Sequence, residues 1–195
     1  MGLFEGRSTS ARKLGPEASQ SLLMRAATGV DAVFGWLCQA LVIGTTVILL
    51  AVLGANVVAR YAFAQGGIEW ISEVPEQLFP WMIAAGIVLA VQRGDHIAVD
   101  LIYKALSKRA ALFLVLAILV LIIVAYAVLF VITWQTADIV SSQRSPLLGI
   151  SGSWGYYALM FMAAGTALSS LTIMIKVMVR GVSALPAANP EDSPI

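Results

Sequence analysis

The residue types that carry most catalytic and metal-binding chemistry are scarce in this sequence. It contains one histidine, His96, and one cysteine, Cys38. A haem with two histidine ligands, a dithiol redox centre and a disulfide framework therefore cannot be built within one chain. No glycine-rich phosphate loop and no hydrolase nucleophile motif occurs. The sequence predicts a protein that is not an enzyme and that holds no cofactor of its own.

Charged and aromatic residues that could form an interface lie in a first short run, which contains Arg60, Trp70, Glu73 and Glu76. Arg60 and Glu73 can form a charge-assisted pair. The equal alternative is that both are solvated charges, since an exposed pair stabilises a fold by only about 0–1 kcal/mol. Ser72 has the right type and position to cap the helix that follows.

A second short run contains Arg93, His96 and Asp100. If this run is helical, His96 and Asp100 lie four residues apart on one face and can pair. Arg93 complements the negative end of the helix before it. We favour a structural turn over a catalytic role here.

The elements that must position these runs are membrane spans, because 59% of the residues are hydrophobic and only 12% are charged. A helix needs roughly 20 apolar residues to cross a hydrocarbon core of about 30 Å. We predict an all-α membrane protein with four transmembrane helices at about 34–58, 72–92, 110–135 and 154–178. Residues 21–182 would form the membrane domain, and 1–20 and 183–195 would be flexible cytoplasmic tails.

The interiors of the four spans contain no Asp, Glu, Lys, Arg or His. Ion-coupling sites and proton relays normally need such groups or broken helices around a polar cavity, so the chain has no visible transport site of its own. Small residues four apart let helices approach closely. The candidate packing residues of this kind are Ala51, Ala55, Gly86, Ala90, Ala163 and Ala167.

The distribution of basic residues predicts the orientation. Ten of the 12 Lys and Arg residues fall in the two tails and the central link, whereas Arg60 and Arg144 are alone in the other two links. The positive-inside rule then places both termini in the cytoplasm. Trp70, Trp134 and Trp154 lie at predicted outer ends, as expected for an aromatic belt.

Two amphipathic stretches, residues 19–33 and 97–109, border the spans. Each could be a short interfacial helix on the cytoplasmic leaflet. The alternative is that each simply extends the adjoining span.

The order of the motifs resembles that of a known family. The sequence has Arg60-Tyr61-Ala-Phe63, then Trp70-x-x-Glu73, then Arg93-x-x-His96-Ile97-x-Val99-Asp100, and later Ser145-Pro146-x-Leu148-Gly149. This series is similar to the small (DctQ-like) membrane subunit of tripartite ATP-independent periplasmic (TRAP) transporters, over about residues 30–180. One departure is the stretch after Glu73, where the family often has a basic residue and this chain has Pro75, Glu76 and Gln77.

The resemblance implies a scaffold subunit in the bacterial inner membrane. Its partners would be a large multi-span membrane subunit that carries the substrate and sodium sites, a periplasmic substrate-binding protein, and membrane lipids that can include a bound phospholipid. The substrates would be small organic acids imported with a sodium gradient. The alternative is a membrane anchor or assembly subunit of a respiratory complex, which a haem or quinone signal in the purified protein would identify.

Overall fold

The computed structural model of the chain describes residues 16–62, 68–93 and 107–180, and their regular structure is helical. Helix α1 covers Pro16–Ala62, a short 3₁₀ helix covers Glu69–Glu73, α2 covers Val74–Arg93, α3 covers Lys108–Ile139 and α4 covers Ser153–Arg180. Each of the four α-helices contains a segment long and apolar enough to cross a membrane. The predicted all-α fold with four spans is confirmed.

Helix α1 differs from the prediction in length. It is 47 residues long, or about 70 Å at the usual rise of about 1.5 Å per residue. Residues 19–33 run into the first span without a break, so this stretch extends the span and is not a separate interfacial helix. Pro16 suits a first helical position, where its missing N–H would be unpaired, and the next proline is Pro75. The predicted end of the N-terminal tail at residue 20 therefore falls inside a helix.

The start of the second span also differs. Helix α2 begins at Val74, and Ser72 belongs to the preceding 3₁₀ helix. The Ser72 hydroxyl donates to the Glu69 carbonyl (2.6 Å), so it is not available as an N-cap. Of the predicted interfacial stretch 97–109, only 107–109 lies among the described residues.

Helix α4 is the central helix of the bundle and packs against each of the other three. In the most apolar 18-residue window of α4, 56% of the residues are buried, compared with 11% in α1 and in α3. Helix α1 packs mainly on α2, and α3 packs on α4. The outer faces of α1 and α3 are therefore left uncovered by the described residues.

The core is built from small and branched apolar side chains. Cys38, Ala85 and Val88 are fully buried where α1 meets α2, and Val115 and Leu119 of α3 pack on α4. Several hydroxyl groups inside the spans bond along their own helix, as the Thr45 and Thr133 hydroxyls do to the carbonyls of Leu41 and Leu129 (both 2.7 Å). This back-bonding satisfies a hydroxyl without a water or a ligand.

Gly165 of α4 lies at the closest approach of three helices. A Cβ atom on Gly165 would meet the Phe34 ring of α1 at 2.7 Å and the Val88 methyl of α2 at 2.8 Å. Both distances are shorter than real carbon contacts allow, so this position needs glycine. The predicted packing residue Ala163 lies on the same helix two positions before Gly165 and is fully buried.

The other predicted packing residues lie in less crowded places. Ala51 and Ala55 are exposed, Ala90 and Ala167 are half-buried, and a Cβ on Gly86 would have no atom within 4 Å. A helix-packing role for these positions stays a prediction, and for the exposed Ala51 and Ala55 the packing would be against a partner helix.

Candidate functional site

Glu73 is the centre of a polar cluster at the membrane edge formed by the end of α1, the 3₁₀ helix and residues 140–152, which we call the loop edge. The Glu73 side chain is 8% exposed. Its two carboxylate oxygens accept the backbone N–H groups of Leu147 and Leu148, each at 2.9 Å. Glu73 therefore fastens the start of α2 to the link between α3 and α4, a contact that we call the Glu73 clamp.

The link is folded so that these two N–H groups are free to bind Glu73. Within it, the Ser145 carbonyl accepts from the Gly149 N–H (3.1 Å) and the Ser145 hydroxyl accepts from the Ile150 N–H (3.1 Å). Gly149 has a φ angle of +66°, a conformation that glycine adopts without steric cost. The turn from Ser145 to Gly149 thus presents consecutive N–H groups, a concave arrangement that favours an anion.

Two side chains at the start of α4 connect this helix to α3 and α2 at the same edge. The Ser153 hydroxyl donates to the Ala137 carbonyl, which joins the start of α4 to the end of α3. The indole N–H of Trp154 donates to the Gln77 carbonyl (3.0 Å) and so ties α4 to α2. The Trp154 ring also packs on Trp81, with 5.2 Å between ring centroids.

Arg60 is not part of this clamp. It is exposed, and the single ion pair among residues 16–62, 68–93 and 107–180 is formed elsewhere. The possible Arg60–Glu73 pair is therefore not formed, because backbone N–H groups already satisfy the carboxylate. Arg60 instead borders an open groove of about 380 Å³, whose other lining residues are Asn56, Ile68, Glu69, Ser72 and Leu147. Asn56 shapes this groove, since its side-chain oxygen accepts the Ile68 N–H at 2.9 Å.

A second polar cluster, which sequence reasoning missed, lies at the opposite edge. Asp31 of α1 forms an ion pair with Lys176 of α4, and the Thr172 hydroxyl donates to the same carboxylate at 2.7 Å. The Gln92 amide of α2 donates to the Asp31 carbonyl at 3.3 Å. Gly35 leaves room for this amide, because a Cβ there would lie 2.8 Å from its oxygen.

A sequence signal for this second cluster did exist. At the predicted inner edge, Asp31 and Lys176 are the charged residues closest to the apolar parts of their helices, and their charges are opposite. The amphipathic pattern of residues 19–33 predicts that Asp31 lies on the polar face of that stretch. The pairing depends on α1 leaning on α4, which helical periodicity does not predict.

The remaining predicted interface residues are dispersed. Trp70 and Glu76 are exposed at the loop edge, and Arg93 is exposed at the end of α2. His96 and Asp100, with their possible pairing, lie outside the described residues. Across the described parts of the chain, no three His, Cys, Asp or Glu side chains converge as a metal site would require.

The chain is similar to several known proteins. The family model of the DctQ component of tripartite ATP-independent periplasmic transporters matches residues 49–180. The chain is 33% identical over 143 residues to the uncharacterized protein y4mM of Sinorhizobium fredii, a match that covers 73% of this chain and 26% of that protein. It is 30% identical over 111 residues to the sialic acid TRAP transporter small permease protein SiaQ of Vibrio cholerae, covering 57% of this chain and 64% of that protein.

A Haemophilus influenzae protein, provisionally described as a TRAP transporter small permease protein, is 28% identical over 130 residues. That match covers 67% of this chain and 78% of the relative. The chain thus spans about a quarter of the length of the S. fredii protein and somewhat under two thirds of the length of the V. cholerae protein. The matched range of the family model includes Glu73, the Ser145–Gly149 turn and Lys176, but not Asp31.

Proposed function

Because the chain belongs to the DctQ component family of tripartite ATP-independent periplasmic transporters, we propose that it is the small scaffold subunit of a sodium-coupled importer of organic acids. The family is a transporter component and not an enzyme. In this proposal the substrate and sodium sites lie in a large membrane subunit, and a periplasmic binding protein delivers the substrate. The V. cholerae relative is named for sialic acid, a sugar that carries a carboxylate, which supports an organic acid as the substrate class.

The proposal rests on a helical bundle whose outer apolar surface is exposed and whose spans have no charged side chain in their interiors. Residues such as Leu50 of α1 and Leu121 of α3 are exposed by 75% and 68%. Residues 34–58 and 110–137 contain no Asp, Glu, Lys, Arg or His, so these spans lack the charged side chains that ion-coupling sites usually use. A bundle with two free apolar faces and no ion site is suited to supporting a larger membrane protein.

The orientation proposed for the chain places both termini in the cytoplasm of a bacterial cell and the loop edge outside. Its basis is the asymmetry of Lys and Arg between links. The Glu73 clamp and the Arg60 groove would then face the periplasm, where the binding protein docks. Arg60, which has no ion-pair partner in the described structure, would contact a carboxylate of that protein.

The test is reconstitution of the complete transporter. The chain, the large subunit and the binding protein are purified, and uptake of the organic acid that the binding protein retains is measured in vesicles with and without an inward sodium gradient. We expect uptake only when all three proteins and the gradient are present.

Uptake by vesicles that lack this chain, at an equal amount of large subunit, would refute the scaffold role. Uptake that needs the chain but ignores sodium would refute only the coupling ion. Arg60→Gln is the matched variant for docking: we expect a weaker response to added binding protein, with an unchanged yield of the two-subunit membrane complex.

A further inference from the structure

The last turn of α3 contains an acidic residue whose position is electrostatically unfavourable. Asp138 is one residue from the end of the helix at Ile139. A helix C-terminus carries partial negative charge, so a carboxylate there is destabilising unless a cation lies nearby. The ion pair in the described part of the chain joins Asp31 and Lys176 at the other edge, so Asp138 forms no ion pair with a described basic side chain.

Asp138 lines a cavity together with two aromatic side chains. A cavity of about 110 Å³ opens between the ends of α3 and α4, and it is lined by Trp134, Ala137, Asp138, Tyr157 and Met160. Aromatic faces attract cations such as an ammonium group, and a carboxylate beside them can add a charge-assisted hydrogen bond to the same group. The Ala137 carbonyl is already occupied by the Ser153 hydroxyl, which leaves the Asp138 carboxylate as the anionic acceptor that the cavity offers.

The cavity lies where a membrane surface would be. Trp134 is 60% exposed and Tyr157 is 47% exposed, and aromatic residues at a span end mark the headgroup level. Toward the middle of α3, Val131 and Val128 continue the exposed surface with apolar side chains. A ligand bound here can therefore extend a hydrocarbon chain along α3.

We propose that Asp138, Trp134 and Tyr157 bind the primary ammonium group of phosphatidylethanolamine. The cavity volume suits an ammonium group and its two-carbon linker, while the phosphate remains in water and the acyl chains lie on α3. A soluble amine such as ethanolamine shares the ammonium chemistry but lacks the chains. This inference concerns a different surface from the Arg60 groove and holds whether or not the chain supports a transporter.

The experiment measures lipid binding to the full chain in detergent micelles by native mass spectrometry. Dioleoyl phosphatidylethanolamine and dioleoyl phosphatidylglycerol are titrated separately. We expect the former to bind at least about fivefold more tightly, because only it has an ammonium group for the carboxylate and the rings. Ethanolamine at millimolar concentration should compete weakly, since it gains nothing from the acyl chains.

Two variants locate the site. Asp138→Asn keeps the shape of the side chain and removes its charge, and we expect it to abolish the preference for phosphatidylethanolamine. Trp134→Leu should weaken the same lipid by roughly threefold or more through loss of the ring. Glu69→Gln is the matched control, because it removes another exposed loop-edge carboxylate that does not line this cavity.

Several outcomes would overturn the proposal. Equal affinity for both lipids, or an unchanged preference in Asp138→Asn, would show that no ammonium site exists at Asp138. Competition by ethanolamine as strong as that by the lipid would identify a soluble amine as the ligand. If Asp138→Asn leaves lipid binding intact but lowers the yield of a complex with the large subunit, the cavity accepts a basic side chain of that protein.

Discussion

At the scale of single residues, Glu73 shows how a carboxylate at a membrane edge can be satisfied without a cation. Two backbone N–H groups from the Ser145–Gly149 turn bind its oxygens, and charge-assisted bonds of this kind are stronger than neutral ones. The turn therefore depends on a side chain that lies more than 70 residues earlier in the sequence. Arg60 therefore forms no ion pair with Glu73 and remains exposed, so its guanidinium is available to an external partner.

We predict that substitutions of Glu73 loosen residues 140–152. Glu73→Gln keeps one acceptor and turns an amide donor toward the other N–H group, Glu73→Ala removes both acceptors, and Glu73→Lys adds a cation to the first turn of the second span. Limited proteolysis of the purified chain should cut this link at least about tenfold faster in Glu73→Ala, because the local opening is no longer opposed by two charged hydrogen bonds.

Sensitivity to protease should increase from Glu73→Gln to Glu73→Ala and be greatest in Glu73→Lys. The control is Glu76→Gln, which removes a neighbouring exposed carboxylate and should leave the cleavage rate unchanged. Cleavage of Glu73→Ala at the wild-type rate would mean that the link is ordered by its internal hydrogen bonds alone. Normal complex yield and uptake in Glu73→Lys would show that the clamp has no part in assembly or docking.

At the scale of helices, α1 and α4 are held together at two levels. Gly165 lets Phe34 and Val88 approach α4 closely in the span, and Asp31 pairs with Lys176 at the edge. The ion pair is only partly exposed, with 23% and 20% of the side-chain surfaces accessible. It is thus intermediate between a surface pair, which contributes little, and a buried pair, whose disruption leaves an uncompensated charge.

We predict that Lys176→Met destabilises the bundle by about 1–3 kcal/mol, because Asp31 then keeps its charge beside the apolar span without a cation. Asp31→Asn should cost less, since an amide can still accept from the Thr172 hydroxyl. Unfolding of the purified chain in mixed micelles with increasing denaturing detergent measures both effects.

The double variant Asp31→Lys/Lys176→Asp should recover part of the loss, which a purely steric effect of either substitution would not allow. Arg93→Gln is the control: Arg93 is exposed at the same edge and outside the described ion pair, so its loss should be within about 0.5 kcal/mol of zero. A swap variant as unstable as the sum of its two single variants would exclude a direct pair.

At the scale of the whole molecule, the chain is a half-covered bundle. Helices α2 and α4 form its centre, while α1 and α3 each expose one face of large apolar side chains. In water such faces would aggregate, but lipid tails or the helices of a partner protein cover them without penalty. The two faces and the two polar edges divide the surface into parts that contact membrane and parts that contact water.

We predict that the loop edge is outside the cell. The native thiol is first removed with Cys38→Ala, and Ser142→Cys at the loop edge and Ser107→Cys at the opposite edge are then made separately; both serines are exposed. A membrane-impermeant maleimide should label Ser142→Cys in spheroplasts and Ser107→Cys only after permeabilisation. The converse pattern would refute the orientation with both termini inside.

Much of this architecture followed from the sequence alone. Length and hydropathy determine where an apolar helix can cross a membrane, since an unpaired backbone is intolerable in lipid, and all four predicted spans lie within observed helices. The motif around Glu73 and the Ser145–Gly149 turn was also visible as sequence. Their mutual contact was not, because hydrogen bonds between distant segments depend on which helices are neighbours.

Only the tertiary structure decided which polar groups meet. By sequence, Glu73 was as compatible with a pair to Arg60 as with a solvated charge, and only the fold brings residues 147 and 148 beside it. Asp31 belonged to a surface stretch by periodicity, yet α1 continues without interruption from Pro16 and brings Asp31 to Lys176. Sequence patterns report what each helix prefers by itself, whereas the pairing of charges depends on helix order and tilt, which arise from close contacts such as Gly165 with Phe34 and Val88.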